Sequence, residues 1–266
     1  AAFDLEGSVH VWSDYLQAHL HPRSLAPLAD FDHHHSEMRR WGDGAGVVKR
    51  QSDRDESSSL LERVRRFLEE CDAPQGFQCL FDGDGGFGGL SHALLTAIRD
   101  EYCRAPCLAL SLNMLRSSPE EAAGEEPDPR TAHALALCNA LALTSLSELR
   151  CCVLPLYDAS GGPPARLYAP RSGLAYHTSA PLATLLDCAT LPLRARYPRG
   201  SLTSLCHSLA LSPSTPLAAA ALALPLPPDP AQAVAPSEGR PEWFVGFCPL
   251  QLPPRSVTAP PPVAKE

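Results

Sequence analysis

Residues 82–91 read DGDGGFGGLS and hold the residue types best suited to chemistry in this chain. Within them, Gly83, Gly85 and Gly88 satisfy G-x-G-x-x-G. A short apolar run, GFQCLF, enters the loop, and Leu90, Leu94, Ile98 and Tyr102 recur beyond it at helical spacing. A glycine loop between a strand and a helix can bring backbone N–H groups against phosphate oxygens at the helix start. Two features oppose a simple phosphate site. No lysine lies nearby to make a Walker loop, and Asp82 and Asp84 bracket the turn. A carboxylate about 5 Å from a polyphosphate costs on the order of 1–3 kcal/mol at intermediate dielectric, although a bridging Mg²⁺ reverses that sign. A dinucleotide site also needs an acid at the end of the second strand, and CLALSLN ends in Asn113. Three readings stay open on the residues alone: a loop that keeps its shape without its ligand, a weakened nucleotide site, and a site for a metal or another ligand.

Other candidates are weaker. His33, His34 and His35, with His19 and His21, could ligate a metal, but no cysteine or acid falls at ligand spacing. His177 and His207 lie near Ser179 and Ser204, yet proximity in sequence does not make a triad and no G-x-S-x-G elbow is present. Trp12 and Tyr15 read as core or interface anchors.

The elements that must position the loop alternate between strand and helix. Ser59 and Glu62 fit a capping box before a helix carrying Leu60, Leu61, Val64, Phe67, Leu68 and Cys71. GFQCLF, CLALSL and CCVLPLY read as buried strands, with Pro155 favouring an edge or late position for the third. Asp128 as cap and Pro129 as first residue open a helix through RTAHALALCNALAL, and Ser179 or Thr178 can cap another carrying Leu182, Leu185, Leu186 and Ala189. Continuous apolar strands alternating with helices predict an α/β fold with a mostly parallel sheet covered on both faces. Residues 1–56 divide into a lead helix with Val11, Tyr15 and Leu16 on one stripe and, from residue 30, a charged, histidine-bearing exposed loop. Residues 57–226 form the α/β domain, and the proline-rich residues 227–266 a tail or linker.

A formal charge of −8 argues against a nucleic-acid partner. Ten cysteines scattered through apolar runs without a CxxC read as buried free thiols rather than a disulfide framework. Cys151 and Cys152 should point to opposite faces of a strand and not pair. No apolar run reaches the roughly 20 residues that a spanning helix needs.

A longer pattern adds to this reading. CDAPQGFQ, then the glycine loop, then LLTAIRDEY resembles the tubulin superfamily, and VHVWSDYLQAHLHPRS together with EECDAPQGFQ resembles its Misato family, from about Ser8 to Leu226. That resemblance implies a tubulin-like fold, incomplete at its N-terminal side because the sequence before Ser8 would carry the first half of the nucleotide-binding domain. It also implies that Gly85, Gly86, Gly88, Gly89 and Ser91 are the relic of a GTP-binding loop. Phe87 stands where tubulins place a threonine, Ser179, Ala180 and Pro181 where an asparagine reads guanine, and Ser201 and Ser204 where two acids serve hydrolysis. A serine without a base cannot replace a carboxylate in orienting water. The expectation is therefore a non-enzymatic protein without cofactor or metal, acting in mitochondrial distribution and morphology. It would work in the cytoplasm or peripherally on the outer mitochondrial membrane, with cytoskeletal or mitochondrial-surface proteins as partners. The alternatives are a GTP-binding, assembling tubulin homologue and, on the glycine spacing alone, an NAD-type oxidoreductase.

Overall fold

The computed structural model describes residues 20–28, 31, 38–54, 59–113, 129–157, 175–195, 197, 199–212 and 214–220. The lead helix, the three consecutive histidines, the acidic stretch up to Asp128, and the proline-rich C-terminal stretch lie outside these residues. Seven helices are described: α1 (Trp41–Ala45), α2 (Val47–Arg54), α3 (Leu60–Glu69), α4 (Phe87–Glu101), α5 (Pro129–Glu148), α6 (Ala175–Arg194) and α7 (Leu202–Leu209). The strands are β1 (Phe77–Asp82), β2 (Cys107–Asn113), β3 (Cys152–Tyr157), β4 (Ala210–Ser212) and β5 (Thr215–Ala218).

They form one sheet in the order β1-β2-β3-β5-β4, parallel throughout except for the terminal β4–β5 pair. Alternation of side chains across each strand sorts the core into two layers. On one face Phe81, Ala109 and Val153 pack against Leu95 and Ile98 of α4 and Ala142 and Leu146 of α5. On the other, Leu108, Leu110, Leu154 and Leu156 pack against Leu182 and Leu185 of α6 and Leu202 of α7. The expected α/β architecture is therefore present. Adjacent Cys151 and Cys152 fall in opposite layers, as the strand period requires.

Local signals explain the boundaries. Ser59 caps α3 through the Glu62 amide (3.2 Å), but the Glu62 carboxylate turns to Arg65 and Arg66, so only half of the expected capping box forms. Helix α5 ends in a Schellman turn: the Arg150 amide donates to Ser147 O (2.9 Å) and that of Cys151 to Leu146 O (3.2 Å). Arg150 occupies the left-handed position (φ 55°) where glycine is usual. The Arg99 guanidinium braces this turn, donating to the carbonyls of Leu149 and Arg150 and also of Cys103 and Ala105. Gly76 takes φ 140° before β1, and a β-carbon there would lie 2.3 Å from Pro106 O.

Four expectations need correction. Residues 41–54 fold as α1 and α2 rather than as exposed loop, with Met38 and Val47 buried. Strand β3 is interior despite Pro155; it pairs with β5 only at Val153↔Leu217, so the proline interrupts no ladder on that side. Helix α6 begins at Ala175, with Pro181 and Pro192 inside it, not after a cap at Thr178 or Ser179. The described cysteines are free thiols, but Cys71, Cys103 and Cys188 are exposed on helices or loops rather than buried.

Candidate functional site

The glycine loop sits at the carboxyl ends of the parallel strands, where open α/β sheets place their ligands. Gly83 leaves β1 with its amide still in the ladder, donating to Leu112 O at 2.7 Å. A side chain could not stand there, because a β-carbon would lie 2.1 Å from Ser111 Oγ and 2.5 Å from Asn113 Oδ1. The Asp84 amide donates to Asp82 Oδ1 at 2.9 Å, and the Gly86 amide donates to Met38 O at 2.9 Å. Thus three amides of the turn already have acceptors within the chain.

The second observation is what covers the loop. Gly83 through Gly86 are buried, as are Gly88 and Gly89, while Asp82 and Phe87 reach solvent. The cover is α1 with the segment before it. A β-carbon on Gly44 would lie 1.8 Å from Gly86 O, and one on Gly89 would lie 1.9 Å from Trp41 O. Glycine on both sides thus lets the two backbones touch. Trp41 closes the contact, its ring 5.6 Å from that of His92 on α4. Burial beside it pushes the His92 imidazole below its ordinary value, with Glu148 opposing.

Of the five residues expected to form the loop site, Gly85, Gly86, Gly88 and Gly89 meet here. Ser91 does not: it is buried one turn into α4 and its hydroxyl bonds the Cys79 thiol. Beneath the loop is a polar cluster that the sequence reading missed. Asn113, buried at the end of β2, donates to Ser111 O (3.1 Å) and Leu156 O (3.4 Å) and accepts from Asn139 of α5. Tyr157 lies alongside, its hydroxyl pushed upward by burial, lowered by Asn139 and raised by the Asp84 charge. These groups satisfy one another and stitch β2, β3 and α5 together. Asn113 is thereby occupied where a dinucleotide site needs an acid free to reach ribose.

The other positions fall elsewhere. Ser179 and Ala180 are exposed on α6, and Pro181 is buried. Ser201 and Ser204 form a reciprocal capping box at the start of α7: the Ser204 amide donates to Ser201 Oγ (3.1 Å) and the Ser201 amide to Ser204 Oγ (3.0 Å). His21 accepts from the Arg23 amide at the start of a short 3₁₀ turn. Among the described residues no cluster of His, Cys, Asp and Glu could hold a metal ion, and no helix is long and apolar enough to cross a membrane. The cover over the loop left one trace in the sequence: Gly44, three residues past Trp41, is the small residue that faces Gly86.

The family model of the tubulin domain matches residues 4–195. The chain is 33% identical over 219 residues to "Protein misato homolog 1" of Mus musculus, covering 78% of this chain and 37% of the mouse protein. It is 32% identical over 224 residues to the protein of that name in Bos taurus, covering 78% and 36%. With "Protein misato" of Drosophila melanogaster it shares 33% over 216 residues, covering 77% and 36%. It spans little more than a third of the length of these relatives. The parallel sheet, the glycine turn at its carboxyl edge and these matches along most of the sequence agree, and the chain belongs to the Misato family of tubulin-domain proteins.

Proposed function

We propose that this chain is a non-enzymatic, tubulin-like scaffold that acts, as part of its protein, in mitochondrial distribution and morphology. Its setting in this reading is the cytoplasm and the outer mitochondrial surface, and its partners are other proteins. What carries the scaffold reading is the use of the glycine turn inside the chain. Gly83, Asp84 and Gly86 donate their amides to Leu112, Asp82 and Met38, and α1 packs on the backbone of Gly86 and Gly89. The two serines in place of hydrolytic acids hold the start of a helix instead. Three amides of the turn and both serines thus have structural uses that involve no ligand. The mitochondrial part of the reading comes from family membership.

Two measurements test it. The full-length protein should carry no guanine nucleotide through purification; stoichiometric GTP or GDP released on denaturation would overturn the scaffold reading. In cells lacking the gene, mitochondrial network shape should be restored by the full-length protein carrying Phe87→Glu. Phe87 is exposed at the first position of α4. An acid there favours the helix start but repels phosphate. Failure of this variant to rescue, with its fold intact, would show that the loop binds an anion in use.

A further inference from the structure

At the opposite pole of the sheet, where β2 and β3 begin, four cysteines gather. The parallel register pairing Leu108 with Cys152 sets Cys107 beside Cys151, both inside the first core layer. Cys152 faces the other way, toward α7. Its thiol donates to the backbone carbonyl of Cys206 at 3.7 Å, which brings the two residues together. Cys152 and Cys206 are each half-buried, and both line a cleft of roughly 810 Å³ bounded also by Arg150, Thr203 and His207.

A cysteine packed among leucines is ordinarily a small apolar filler, and Cys151, fully buried, is one. Cys152 and Cys206 differ from it in what thiol chemistry requires: both are only half-buried, and both face a cleft wide enough for a small oxidant. The contact also differentiates them. The Cys152 thiol donates toward Cys206 and holds it below the usual thiol value, while Cys152 itself is pushed up by the same contact and by burial.

We propose that Cys206 and Cys152 are an oxidisable thiol pair, which a small peroxide reaching the cleft converts to a disulfide tying α7 to β3. The Cys206 thiolate attacks one peroxide oxygen, the O–O bond breaks, and the departing hydroxide takes up a proton as water. Cys206 is left as the sulfenic acid. The Cys152 sulfur, losing its proton, displaces hydroxide from that sulfur; the S–S bond forms and the hydroxide and proton leave as a second water. Two thiols are oxidised by two electrons, and one hydrogen peroxide is reduced to two waters. A dithiol reductant reverses the change. This inference does not depend on how the glycine loop is used.

The test is peptide mapping by mass spectrometry of the reduced full-length protein after graded hydrogen peroxide, with dimedone as the sulfenic-acid trap. The expected product in the unsubstituted protein is a reducible Cys152–Cys206 cross-link formed at lower peroxide than any oxidation of Cys71, Cys103 or Cys188, the exposed reference thiols. Cys206→Ser should abolish the cross-link, and Cys152→Ser should replace it with a dimedone adduct on Cys206. Oxidation of the three exposed thiols ahead of Cys206, or a cross-link through Cys107 or Cys151 in its place, would overturn the assignment without recourse to any variant.

Discussion

Gly89→Ala asks directly whether α1 closes the glycine loop. The new methyl would sit 1.9 Å from Trp41 O, 2.9 Å from Trp41 C and 3.0 Å from Ala45 N. All three are backbone atoms, so no rotamer change relieves them. A carbon–oxygen contact is ordinarily no closer than about 3.3 Å, so α1 must retreat by about 1.4 Å. Overpacking costs about 1–3 kcal/mol, and a clash this deep with rigid backbone belongs to the upper part of that range, about 2–3 kcal/mol. Against it stands the gain of about 1 kcal/mol from replacing glycine by alanine inside a helix. The net loss is about 1–2 kcal/mol, or roughly 2–8 °C in melting temperature for a chain of this size. Gly42→Ala supplies the control. It lies in α1, nothing comes within 4 Å of its β-carbon, and it should raise stability by up to about 1 kcal/mol. Thermal and urea melts followed by circular dichroism read both. If the loop were open to a ligand, the two substitutions would behave alike and both would stabilise. A Gly89→Ala protein as stable as its parent would therefore refute the packing described above.

The depressed His92 imidazole carries a pH signature. Its folded value lies below the ordinary 6.5, so the unfolded chain binds the extra proton first and stability falls as pH drops below about 6.5; melts from pH 8 to 5.5 should show the decline, and His92→Gln should flatten it. Arg99→Ala removes charge-assisted bonds to four carbonyls and should cost about 2–4 kcal/mol in urea unfolding, with Arg99→Lys intermediate. Ser201→Ala deletes the cap of α7 and should cost about 1 kcal/mol with no effect on any nucleotide turnover.

The elements set by strong periodicity or a local device were legible beforehand. The three parallel strands, α4 and the Pro129 start of α5 follow from apolar runs, 3.6-residue spacing and the rigid φ of proline. What escaped was non-local. The stretch WGDGAG reads as loop because its five-residue helix has almost no stripe of its own, and its apolar cover is supplied by Gly86, Gly88 and Gly89 some forty residues on. Asn139 looked like an ordinary polar residue in an alanine-rich helix; only the fold reveals that it completes the Asn113 amide. Ser201 and Ser204 stand where the resemblance places two acids, and only the fold reveals that they cap α7.

On the scaffold reading proposed above, those same particulars explain how a chain can resemble a nucleotide-binding family along its length and differ from it at the ligand. The residues that carry the resemblance answer to the scaffold. Gly76 holds a left-handed turn that no side chain fits, Arg99 braces the end of α5, and Phe77 packs on Tyr102 at 5.9 Å. Of the groups that would answer to a nucleotide, the amides of Gly83, Asp84 and Gly86 have internal partners. To admit a phosphate, the Gly86 amide must release Met38 O and α1 must lift away, exposing Met38, which is 8% accessible. Exposing such a side chain costs about 1.5–3 kcal/mol, and breaking the hydrogen bond about 1 kcal/mol more. That is two to three powers of ten in affinity. A site that holds its nucleotide at about 1 μM without this cover would need about 0.1–1 mM with it, before the repulsion from Asp82 and Asp84 is counted. Titration of the full-length protein with Mg²⁺-GTP should accordingly show no saturation below about 0.1 mM; micromolar binding would mean that α1 opens far more easily than its packing on the loop allows.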